Sequence, residues 1–83
     1  MTNDMIENYL VKHSAQHAPV NIHFKQRSTI KGLFIQTRDY QELKTKNLWR
    51  IVSSSKLAEW RNTQDENLAR IFNGSEFTRL TME

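Results

Sequence analysis

Tyr40, Trp49 and Trp60 stand interleaved with Arg38, Lys44, Lys46, Arg50 and Arg61. Flat aromatic faces set among cations suit a single strand of nucleic acid, whose bases stack on rings while its phosphates meet the charges. The surrounding sequence reinforces the pattern. Residues 20–56 carry eight lysines and arginines against only Asp39 and Glu42, a local balance of +6, whereas residues 1–19 and 57–83 are slightly acidic. A stripe of this kind attracts a phosphate backbone. It is equally what a sheet displays when it uses lysine to discourage pairing at its edges. Among the aromatics, Trp49 reads as core, Trp60 either as a staple for a polar excursion or as a stacking face, and Tyr40 as the best stacking candidate.

Other chemistry finds less support. His13 and His17 have the i, i+4 spacing of a helical metal pair, but no carboxylate, cysteine or third histidine nearby in sequence completes a ligand set. The expectation is that His13 finishes a packing face and His17 sits by a helix C-terminus, where positive charge is favoured. Ser53, Ser54 and Ser55 lie in no nucleophile elbow. With only Gly32 and Gly74 in the chain there is no glycine-rich phosphate loop, and no paired-carboxylate motif stands out. The sequence therefore predicts a non-catalytic protein with no cofactor, no metal and no evident small-molecule substrate.

The elements that would position these residues follow from periodicity. Asp4 followed by Glu7 resembles a capping box, and Ile6, Tyr9, Leu10 and His13 recur at helical spacing, predicting a helix over residues 4–16 that stops ahead of Pro19. Val20, Ile22 and Phe24 then alternate with Asn21, His23 and Lys25 as in a half-buried strand. IKGLFIQT (30–37) predicts a second, strongly curved strand, with Gly32 marking a bend, a bulge or a close approach of backbones. RDYQELK (38–44) reads as a turn and reversal, and KNLWRIV (46–52) as a third strand. Residues 53–67 carry cap-forming serines ahead of Leu57, Ala58 and Trp60, which fits a helical turn or a long hairpin excursion. Residues 67–73 and 76–81 complete five strands. Between these last two, Gly74 is expected to supply the positive φ of a tight reversal.

An N-terminal helix, five short bent strands and the run Phe72, Asn73, Gly74, Ser75, Glu76, Phe77, Thr78, Arg79, Leu80 resemble the Sm-like family, which includes the bacterial Hfq-type proteins. The run follows the spacing of the family's second motif, with Asn73 where the family carries arginine; Gly32 and Asp39 are the candidates for its first motif. The resemblance implies a five-stranded, strongly bent Sm-like (SH3-like) barrel and rings closed by pairing strand four of one subunit with strand five of the next. That would put Ile71, Phe72, Phe77 and Leu80 at or beside a subunit interface and Tyr40 towards the pore.

The chain is thus expected to be a mostly-β single domain over residues 1–83, with a helix at 4–16 and a small barrel at 20–81. Eighty-three residues bury only about 60% of their unfolded surface, and with no cysteine to form disulfides, assembly is the expected support for the core. The expected function is that of a ring-forming protein binding single-stranded RNA or another polyanion through Arg38, Tyr40, Lys44, Lys46, Arg50 and Asn73. The alternative is a small barrel that serves as a protein-interaction or assembly module without nucleic acid. No apolar run approaches the roughly 18 residues of a membrane span, and MTNDMIENYL lacks a basic leader, so a soluble, cytoplasmic protein is expected, with itself and RNA as partners and no membrane.

Overall fold

Thr2 starts the first helix, its hydroxyl accepting from the Met5 amide at 3.3 Å. The structure is a computed structural model that describes residues 1–13 and 18–82. Helix α1 runs Asn3–Lys12 and turns Ile6 and Leu10, one helical turn apart, into the core. The expected Asp4–Glu7 capping box does not form, because Thr2 holds the cap and the Glu7 carboxylate reaches instead to Lys44. His13 closes the helix as an exposed C-cap, its ring against Tyr9, so it does not finish the packing face; His17 and the expected helical residues 14–17 lie outside the described residues.

Five antiparallel strands follow: β1 (Val20–Phe24), β2 (Ile30–Phe34), β3 (Leu48–Ser53), β4 (Ala69–Asn73) and β5 (Phe77–Thr81), hydrogen-bonded in the order β4-β3-β2-β1-β5. Helix α2 (Tyr40–Thr45) occupies the predicted reversal between β2 and β3. A 3-10 turn at Ser54–Lys56, capped by the Ser53 hydroxyl, runs into helix α3 (Leu57–Thr63). Strand makes up 33% of the structure, so the fold is mixed α/β rather than mostly β.

The sheet is strongly curled. In a flat sheet β1 and β4, three strand spacings apart, would be separated by about 14 Å, yet the Phe24 and Phe72 rings lie 5.9 Å apart. Two features permit the curl. A bulge at Thr78 shifts the β1–β5 register between His23 and Phe24. At Gly32 a Cβ would stand 2.6 Å from the Ile51 methyl and 3.0 Å from the Val52 carbonyl, so only glycine lets β2 lie this close on β3. The curl does not become a closed barrel, because β4 and β5 remain at opposite edges of one open sheet.

The expected hairpin at Gly74 is therefore corrected. β4 and β5 do not pair with each other; a 3-10 turn, Gly74–Glu76, carries the chain from one edge to the other, and no glycine has positive φ. Gly74 is needed for space: a side chain there would collide with Asn47 Oδ1 and Ile6 Cδ1.

Both faces of the central strands are covered. Inside the curl, Ile6 and Leu10 of α1 pack with Val20, Ile22, Phe34, Trp49, Ile51, Phe77 and Leu80. On the outer face Leu57 and Trp60 of α3 cover Leu33, Ile35, Val52 and Ala69. A strand buried on both sides must be apolar nearly throughout, which accounts for IKGLFIQT.

Candidate nucleic-acid interface

The β2–β3 connection is organised around Asp39. Its carboxylate accepts from Arg50 Nη2 at 2.8 Å and Nε at 3.3 Å, and from the Thr37 hydroxyl. The Arg50 guanidinium, followed by the Thr37 hydrogen bond, holds the Asp39 carboxyl down to about 2. One residue on, α2 begins. Its Lys44 reaches across to α1, Nζ lying 2.6 Å from Glu7 Oε2, and this hydrogen bond raises the Lys44 pKa. Lys46 pairs with Glu42 at 3.7 Å on the exposed side of the helix, where such a contact contributes little.

Of the six predicted nucleic-acid contacts, the fold gathers five on and around this connection, but it engages most of them internally. Arg50, Lys44 and Lys46 each have an acidic partner. Tyr40 stands edge-on to Trp49 at 6.0 Å and packs against the core; this burial raises its pKa, and the nearby Glu7 charge adds to the effect. Arg38 is exposed and, among the described residues, forms no ion pair; it borders a cleft of about 330 Å³ together with Trp60, Gln64 and Glu66. Asn73 is set apart from the other five, its Oδ1 accepting from the Ser75 amide at 2.9 Å to cap the turn.

The four predicted interface residues also separate. Phe77 and Leu80 are 1% and 6% exposed and belong to the chain's own core, so their side chains offer nothing to a neighbour. Phe72 is half-buried against that core, and Ile71, 47% exposed on edge strand β4, is the one that faces outwards.

A second cationic cluster is absent from the sequence reading. Arg27, on the turn after β1, lays its guanidinium carbon 5.0 Å from the centre of the Phe24 ring and 5.7 Å from that of Phe72. Lys25 borders one of the two cavities that Arg27 lines, and Arg70 borders the other. Phe24 beside Arg27 was the local signal, but nothing local announces Phe72, which only the curl of the sheet brings within reach.

Comparison of the chain with protein-family models, curated proteins and solved structures finds no match. Among the described residues no group of three or more histidines, cysteines and carboxylates is placed to hold a metal ion, and no helix is long and apolar enough to cross a membrane.

Proposed function

We propose that the chain is a Sm-like, ring-forming protein that binds single-stranded RNA or another polyanion and performs no catalysis. The observation that supports this reading is the order of the curled sheet, which leaves β4 and β5 as two free edges of five residues each. An unpaired edge is a template for another chain, and joining strand four of one copy to strand five of the next removes both edges in a closed ring. Exposed Ile71 on β4 would gain burial in such a joint. The test is solution mass by light scattering across protein concentrations, together with retention on poly-U. A closed oligomer of about five to seven copies, with binding that weakens steeply as salt rises, is expected. A monomer at all concentrations overturns the ring, and undetectable or salt-independent retention overturns the polyanion.

One observation favours the second reading, a protein-interaction module. The pairing of Arg50, Lys44 and Lys46 with Asp39, Glu7 and Glu42 leaves the 38–50 region far less cationic than its lysine and arginine content suggests. Under that reading heparin retains the chain no better than a pI near 9.5 requires.

A further inference from the structure

We propose that the groove between the β1–β2 turn and the Gly74–Glu76 turn receives one nucleotide unit of a single-stranded RNA, its base stacked on the Arg27 guanidinium and the backbone phosphates flanking it drawn to Lys25 in one half of the groove and to Arg70 in the other. The inference rests on the polyanion reading above and moves its principal contact away from residues 38–50.

The groove consists of two adjoining cavities of about 510 and 300 Å³ that share Phe24, Arg27 and Glu76. Its walls are fixed. Phe24 stands perpendicular to buried Phe77 at 5.2 Å, and the Lys25 amide donates to the Glu76 carbonyl at 3.0 Å, tying one turn to the other. Arg27 lies over both phenyl rings and, among the described residues, has no carboxylate within ion-pair distance. The contrast with Arg50, Lys44 and Lys46 is direct: those cations each hold an anion, whereas this one lies over aromatic rings. An arginine plane backed by aromatics is a stacking platform for a base, and a preorganised one, because the rings set its orientation before any ligand arrives.

Charge favours an anion, since three cations face the single carboxylate of Glu76. An acidic peptide shares that attraction. Gln26 and Asn73 favour the nucleotide, as their amides border the groove and can meet the donor and acceptor edge of a base.

The test is fluorescence anisotropy with labelled single-stranded ribo-oligonucleotides, comparing the unaltered chain with Arg27→Ala and Arg27→Lys. Arg27 is exposed, so both variants are expected to keep the fold, as checked by circular dichroism. Loss of one stacked base weakens binding about tenfold in both variants, because lysine restores the charge without the plane. Full rescue by lysine, or displacement of the oligonucleotide by poly-glutamate at equal charge, overturns the stacked nucleotide. Binding unchanged in both variants overturns the site while the polyanion reading stands. No binding by the unaltered chain at low salt removes that reading, and the site with it.

Discussion

Asn47 adopts a left-handed φ of 58° at the end of α2, a region that asparagine tolerates better than most residues. Its side chain joins distant parts of the molecule. Oδ1 accepts from Trp49 Nε1 at 2.8 Å, Nδ2 donates to the Met1 carbonyl at 2.9 Å, and the Asn47 carbonyl accepts from the Gly74 amide at 2.8 Å. The Met1 amine completes the junction by donating to the Gly74 and Phe77 carbonyls. Gly74 can sit here only because it lacks a side chain. Gly74→Ala must push Asn47 aside, breaking the bond to the buried tryptophan and crowding Ile6. A loss of about 1–3 kcal/mol is expected, read as a lower urea midpoint with an unchanged slope. An unchanged midpoint would show that the junction yields without cost. The sequence marks this glycine as special but suggests the wrong reason, since a tight reversal and a close approach of Asn47 and Ile6 ask for the same residue.

At the scale of elements, α2 has no fully buried side chain; it is held by Tyr40 packing half-buried against the core, by the Lys44–Glu7 pair to α1 and by the Asp39–Arg50 pair that ties its start to β3. The folded carboxyl titrates near 2, below its ordinary 3.8. A depressed carboxylate stabilises the fold fully above its unfolded pKa and loses that contribution as pH falls towards the folded value. Melting temperatures measured from pH 6 to 2 should therefore drop more steeply in the unaltered chain than in Asp39→Asn, with the difference confined to about pH 4 to 2. Parallel curves would mean that the pair does not secure the connection. The periodicities of α1 and β1 were legible because each has one covered face and one wet face. The two-sided cover of β2 was not, although its continuous apolar run required it: the covering helix lies in a polar segment where only Leu57 and Trp60 face the sheet. Of the candidate contacts, the clustering of residues 38–50 was legible, but their neutralisation was not, because Lys44 finds its acid 37 residues away.

For the whole molecule, the two open edges are the dominant fact. If copies join through them, Ile71→Lys on β4 puts a charge into the joint without touching the core. The expected result is a smaller mass by light scattering with an unchanged far-ultraviolet dichroism spectrum; an unaltered mass would place the joint elsewhere. The strand order also governs how the fold is made during synthesis. β1 pairs with β2 on one side and β5 on the other, and β5 begins at Phe77, well after β2 has ended at Phe34. At about 5–20 residues per second, the outer edge of β1 waits roughly 2–9 s for its partner. During that interval β1 stands where β5 later will, as the terminal strand of a growing sheet, and the half-made chain is most exposed to pairing with another nascent copy.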